Sequence, residues 1–235
     1  MKQKKKIYKR FYLRLNITMV LQKKDFIEFE FIGKIKDTGE LFDSNIAGEL
    51  KKINPEAIAK PYIIPLGEGL FMPAVEEFLI GKPETAASYD ISLTPEKAFG
   101  LRNSKFVQIM PLKIFHSQRI VPTPGSVFNF DGRLGKVLSV NGGRVITDFN
   151  HPLAGKEVNY KINIIKKVED LNQKTKALIE FFLQKDISFT IEGNKLKIEA
   201  ETQIAKFLGL FKDKFKDLLN LELEIEESKK EEKKE

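Results

Sequence analysis

Between residues 148 and 168 the chain reads DFNHPLAGKEVNYKINIIKKV, a turn-forming stretch followed by strict alternation. Val158, Tyr160, Ile162 and Ile164 fall on one side, opposite Glu157, Asn159, Lys161 and Asn163. Successive side chains of a strand point to opposite faces, so this pattern sets a half-buried strand with one apolar face.

The preceding sequence supplies partners for that strand. Residues 25–36 alternate Ile27, Phe29 and Phe31 against Glu28 and Glu30, and Asp37-Thr38-Gly39 is a turn signal. Residues 45–61 read as a loop with room for a helical turn. Pro73 opens a helix of about two turns that Gly81 ends. Residues 85–93 read as another strand, followed by a turn at Thr94-Pro95-Glu96.

Residues 104–148 differ in texture, being rich in β-branched and turn residues. Strands at 127–130, 134–140 and 144–149 form a short meander, punctuated by Asp131-Gly132 and Asn141-Gly142-Gly143. A small β module is thus inserted between two strands of a host. Beyond residue 170 the period changes. A helix at 171–185 precedes a hairpin whose turn is Gly193-Asn194. A second amphipathic helix runs from Ile204 to about Leu219, before a strand containing Leu221, Leu223 and Ile225. About 55 residues make a marginal domain, so this module should pack on the body or on a copy of itself. The terminal SKKEEKKE run reads as a solvated, disordered tail.

The formal charge of +7 misdescribes most of the chain. Residues 1–24 hold nine Lys or Arg and no acid, more than the whole net charge, so the remainder is close to neutral. Such an arm suits contact with the ribosome, RNA or another anionic surface. A start at Met19 would remove most of it. Arg14 and Asn16 interrupt the apolar stretch, which argues against a signal peptide. No apolar run approaches the roughly 18 residues a membrane helix needs. Zero cysteines exclude disulfides and thiol catalysis.

Four segments carry a family resemblance when taken together: FIGKIKDTGELFDS (31–44), PLGEGLFMPAVEEFL (65–79), TPEKAFG (94–100) and the DFNHPLAGKEVNY opening of the alternating strand. In this order they resemble the SlyD-like branch of FKBP-type peptidyl-prolyl cis-trans isomerases. The resemblance spans residues 25–168. It implies an α+β fold: an FKBP-like antiparallel sheet around a short helix, with a small β (insert-in-flap) domain and a C-terminal α/β domain. On this reading the isomerase domain is 25–103 with 148–169, the insert 104–147, and the C-terminal domain 170–227.

The resemblance also implies the site. Asp43, Phe31, Phe42, Phe99 and Tyr160 would be catalytic. Tyr62, Ile64, Phe71, Met72 and Val75 would bind substrate, with the Met72 amide on a carbonyl and Val75 as the floor beneath the proline ring. Asp43 is the one polar side chain expected inside. Phe31 and Phe99 stand where many members have Tyr, and Val75 where the best-known single-domain members have Trp. The insert would bind unfolded chain through Phe106, Ile109, Met110, Ile114 and Phe115. No metal or other cofactor is implied. The implied partners are unfolded or proline-containing polypeptides in the cytoplasm, with a homodimer contact through the C-terminal domain as a further expectation. A rival reading is a non-enzymatic holdase with a degenerate pocket.

Other polar residues read as structural. His116 and His151 lie on different segments, and His151 suits a hydrogen-bonding role in its turn. Glu76 and Glu77 are adjacent on a helix and point apart, which suggests solvent exposure or capping.

Overall fold

The computed structural model describes residues 19–84 and 87–227. The basic arm up to residue 18, the first two residues of the strand expected at 85–93, and the charged tail lie outside the described residues. The chain runs β1 (Phe26–Ile35), β2 (Leu41–Ser44), α1 (Ala47–Ile53), β3 (Tyr62–Pro65), α2 (Pro73–Leu79) and β4 (Ala87–Leu93). Next come β5 (Val107–Pro111), α3 (Leu112–Ser117), β6 (Val127–Phe130), β7 (Arg133–Asn141) and β8 (Arg144–Asp148). The last elements are β9 (Val158–Val168), α4 (Leu171–Leu183), β10 (Phe189–Glu192), β11 (Lys195–Ala200), α5 (Thr202–Gly209), α6 (Lys212–Leu219) and β12 (Glu222–Glu227).

Two compact units result. One comprises the chain up to Lys34 with Glu40–Ile91 and everything from Tyr160, and the other Ile35–Gly39 with Ser92–Asn159. The first unit is organised on a sheet of order β2-β1-β9-β4, with β3 also paired to β1. β3 takes the N-terminal half of β1 and β2 the C-terminal half, both antiparallel. Alternation places Ile27, Phe29 and Phe31 on one face of β1, all fully buried. Tyr160, Ile162 and Ile164 of β9 are buried as well, as their spacing requires.

Phe26 belongs to the opposite face, and it is buried too. It joins Val168, Leu178, Leu208 and Phe215 in a second core. The C-terminal module therefore packs on the body, the first of the two options its size left open. Its three strands run β10-β11-β12, with β11 and β12 parallel. A parallel pair needs a crossover, which α5 and α6 provide. Ion pairs Lys24–Asp217, Lys60–Glu180 and Lys214–Glu68 join the module to the body. Lys24 and Asp217 are both exposed, where such a pair adds little, whereas the Glu68 side chain is 7% exposed beneath Lys214; apolar burial is the larger contribution to the join.

The single amphipathic helix expected to reach Leu219 is two helices. Gly209 ends the first, and Phe211 adopts a non-helical backbone at the break. Its ring lies 4.1 Å from that of Phe182 and nearly parallel to it. Glycine's poor helix propensity and this aromatic contact together outweigh continuation.

In the second unit β5-β8-β7-β6 form an antiparallel sheet. The sequence reading had the last three strands and missed β5 and α3, because Pro111 interrupts the apolar run from 106 to 115. Asp131-Gly132 and Gly142-Gly143 supply two-residue hairpins with positive φ at both positions, which matches strand twist. Phe115, Val137 and Val145 make the small core. At the neck the Asn103 backbone N–H donates to Asn150 Oδ1 at 2.8 Å, and Asn150 Nδ2 donates back to the Asn103 carbonyl at 3.0 Å. Arg102 pairs with Asp148 beside them. Burial works to raise the Asp148 carboxyl, but hydrogen bonds from Asn150 and the Arg102 charge outweigh it and lower its pKa.

Because Phe26 serves the C-terminal core from the body's sheet, Phe26→Ala is expected to cost about 3–5 kcal/mol. Guanidinium unfolding measures this, and limited proteolysis should cut first beyond residue 170. A loss under about 1 kcal/mol would show that the cavity collapses and that the two parts do not depend on this ring.

Candidate active site

On the α2 side of the sheet the first unit gathers six aromatic rings. Phe31 lies 4.8 Å from Phe71, 5.5 Å from Tyr62 and 6.2 Å from Tyr160. Phe42 meets Tyr160 edge-on at 5.7 Å, and Phe71 meets Tyr160 at 5.5 Å. Phe29 closes the cluster against Phe71 at 5.3 Å and Tyr62 at 6.2 Å. Edge-on and tilted contacts are the favoured geometries for such rings. Gly33 permits the approach. A Cβ there would stand 2.7 Å from the Phe42 ring and 3.1 Å from Tyr160, so a side chain has no room.

One carboxylate borders these rings. Burial raises the Asp43 pKa above the ordinary carboxylate range, partly offset by a hydrogen bond from the Ser44 backbone N–H. Burial, then the charge of Asp43, raises both the Tyr62 and Tyr160 phenols, so each stays protonated and able to donate. The arrangement is an apolar, aromatic recess with phenolic donors and one carboxylate. It suits a substrate that is itself apolar and carries a carbonyl to be held.

Side chains replace part of the β1–β2 ladder. Asn45 Oδ1 accepts from the Phe31 N–H at 2.7 Å, its Nδ2 donates to the Phe29 carbonyl at 3.1 Å, and Ser44 Oγ donates to the Phe31 carbonyl at 2.7 Å. Ser44 and Asn45 are buried. Asp43 is thus not the one polar side chain inside. The β1–β2 ladder runs through Asp43, opposite Gly33, and ends at Ser44, and the backbone groups freed beyond it require these partners.

Glu76 is the second correction. It is 1% exposed, whereas Glu77 faces solvent. Its carboxylate accepts from the N–H groups of Glu68 at 2.9 Å, Gly69 at 3.0 Å and Phe71 at 2.7 Å. It caps, but the group it caps is a loop rather than its own helix. Gly67 and Gly69 have positive φ, and that tight turn aims its N–H groups inward. The GEG turn was the signal that could have found this role.

Among the residues expected in the site, Phe31, Phe42, Asp43, Tyr62, Ile64, Phe71, Met72, Val75 and Tyr160 all belong to the first unit. Ile64 and Val75 are buried, and Met72 stands half-buried at the N-cap of α2. Phe29 was missed, since alternation alone marked it as ordinary core. Phe99 belongs to the second unit, where it stacks parallel on His151 at 4.8 Å. His151 Nδ1 accepts from the Leu153 N–H, a turn-forming contact.

The expected client-binding residues of the insert divide. Phe106, Ile109 and Ile114 are exposed, and Met110 is partly buried against the insert core. Phe115 is 1% exposed, edge-on to Phe128 and Phe130, and forms that core. It is a packing residue, because α3 turns it inward.

Residues 108–153 match the family described as FKBP26, IF domain. The chain is 30% identical over 149 residues to the short-type peptidyl-prolyl cis-trans isomerase of Methanocaldococcus jannaschii, covering 62% of this chain and 92% of that protein. It is 30% identical over 112 residues to the FKBP-type 16 kDa peptidyl-prolyl cis-trans isomerase of Escherichia coli K12, covering 46% and 74%. Against the FKBP-type isomerase SlyD of Treponema pallidum it is 26% identical over 153 residues, covering 61% and 76%. With the aromatic recess and the four motif segments, these likenesses establish that the chain belongs to the FKBP-type peptidyl-prolyl cis-trans isomerases, with SlyD proteins among its relatives.

Proposed function

We propose that this protein rotates X–Pro amides of unfolded clients in the aromatic recess, while residues 104–147 hold the client chain nearby. The observation that carries the reading is the cluster of six rings bordered by the half-buried Asp43. Amide rotation needs no nucleophile. Its barrier of about 18–20 kcal/mol comes from resonance that puts negative charge on oxygen and double-bond character on C–N. An apolar recess disfavours that planar, charge-separated state, and a few fixed donors can hold the twisted one. Val75 forms the floor for the proline ring. Tyr160, Tyr62 and the Met72 N–H are the candidate donors. Asp43 is the candidate polar side chain beside the bound amide, supported by its charge acting on both Tyr62 and Tyr160.

The division into an isomerase part (25–103 with 148–169), an insert (104–147) and a C-terminal part (170–227) belongs to the same reading, as does action in the cytoplasm. Among the described residues no helix is long and apolar enough to cross a membrane. Client binding by the insert is supported by β5, an edge strand with Ile109 64% exposed and Phe106 beside it. An open strand edge with apolar side chains is a template for an extended chain. Delivery works by effective concentration: a client held by the insert meets the recess as an intramolecular partner.

Isomerisation should be measured on a proline tetrapeptide and on a refolding protein limited by a prolyl bond. Asp43→Ala is expected to lower kcat/KM on both by roughly 10- to 100-fold. Deletion of residues 104–147 should reduce only the protein reaction. If wild type accelerates neither yet still suppresses aggregation, the protein is a holdase.

Asp43 should also trade stability for function. Its pKa is raised, so the folded state binds the proton more tightly than the unfolded state. Stability then falls as pH climbs from the ordinary Asp value through the raised one, and stays lower above it. Asp43→Asn is expected to raise Tm at pH 7 while slowing turnover. A lower Tm would mean that the carboxylate is stabilised where it lies.

Glu76→Ala leaves three inward N–H groups without their acceptor and should cost about 1–3 kcal/mol. By loosening Phe71 and Met72 it should also lower tetrapeptide kcat/KM, and Glu76→Gln should recover part of the loss. Unchanged kinetics in Glu76→Ala would remove this loop from the substrate site.

A further inference from the structure

A second cleft lies on the other face of the sheet, within the same unit. Its floor is Glu28 and Ile63, cross-strand neighbours on β1 and β3, with Lys166 of β9 paired to Glu28 at 3.0 Å. Its other wall is a stripe of α4 from Gln173 through Ala177 to Phe181, at a spacing of four, ending at the C-cap Gln184. Ile58 and Pro61 stand at the mouth, and the cleft encloses about 600 Å³. Clefts that bind small ligands commonly measure roughly 300–1,000 Å³.

Three observations define what fits. Tyr62, Ile63 and Ile64 all line the cleft although they are consecutive. Side chains of a strand alternate, so three successive residues border one cavity only where it reaches the strand's backbone, as it does at a strand edge. That edge of β3 is open, because among the described residues β3 pairs only with β1. The charges in the lining are already matched: Glu28 with Lys166, and Glu180 with Lys60 and, at 3.8 Å, with Lys176. An ionic ligand gains little there, whereas an uncharged chain can pair its backbone with the strand. Finally, apolar surface lies open along the route, with Ile58 91% and Phe181 37% exposed.

Tyr62 connects this cleft to the aromatic recess. Its ring packs edge-on against Phe29 and Phe31, and the same residue borders the cleft. We propose that the cleft between the β3 edge and α4 binds an extended, uncharged, apolar segment of the client that flanks the isomerised proline. The C-terminal module thereby forms one wall of an extended substrate site. This rests on the reading of the recess as the prolyl site.

The full-length protein is tested on three peptides with one shared X–Pro centre: a tetrapeptide and two dodecapeptides, extended by apolar residues on the N- or the C-terminal side. Exchange NMR gives kcat/KM for wild type, Ile58→Asp and Phe181→Asp. Wild type should prefer one dodecapeptide over the tetrapeptide. Each variant should lose about tenfold on that dodecapeptide, through KM, and nothing on the tetrapeptide. Ile58 is so exposed that its variant should fold normally. Equal wild-type rates on all three peptides, or a preference that both variants keep, would overturn the cleft proposal and leave the recess standing. Failure of wild type on every peptide would overturn the recess reading and this one with it.

Discussion

The first unit depends on burying both faces of one strand. β1 gives Ile27, Phe29 and Phe31 to one side and Phe26 to the other. A sheet in a small α+β domain often leaves one face to water. Here the C-terminal module covers part of that face, so removing either layer would expose apolar surface on β1. Phe29 and Phe31 stand on a strand whose first residue, Phe26, is anchored in the C-terminal core, which fixes part of the frame of the aromatic cluster. Preorganisation of this kind is what a reaction without covalent steps requires.

The site concentrates cost where the chemistry is. A carboxylate half removed from water and a strand end that leaves its ladder are each unfavourable alone. Ser44, Asn45 and Glu76 offset this by satisfying backbone groups with side chains. None of the three carries the chemistry proposed here. They fix where Phe31, Asp43 and Phe71 stand.

Much of this was legible in the residues. Period-two alternation located β1 and β9, and the motif segments named five of the six clustered rings: Phe31, Phe42, Tyr62, Phe71 and Tyr160. What escaped did so for identifiable reasons. Phe29 carries the same sequence signal as any core residue, and only ring geometry separates it from Ile27. Glu76 bonds to backbone N–H groups, which have no residue identity and leave no covarying letter in a single sequence. The break at Gly209 depends on Phe182, some 27 positions away, stacking on Phe211. One signal was present and unread: Phe26 and Ile27 are consecutive apolar residues in an alternating strand. Such a pair demands two apolar environments, and the second was the C-terminal core.

The reciprocal amide bonds of Asn103 and Asn150 hold the two ends of the insert within hydrogen-bond reach of each other. A loop whose ends are already pinned adds little closure entropy as it lengthens, about 0.6 kcal/mol for each doubling. The neck therefore uncouples the size of what lies beyond it from the cost of carrying it. A chain lengthened or shortened past this clasp would keep its attachment at little cost.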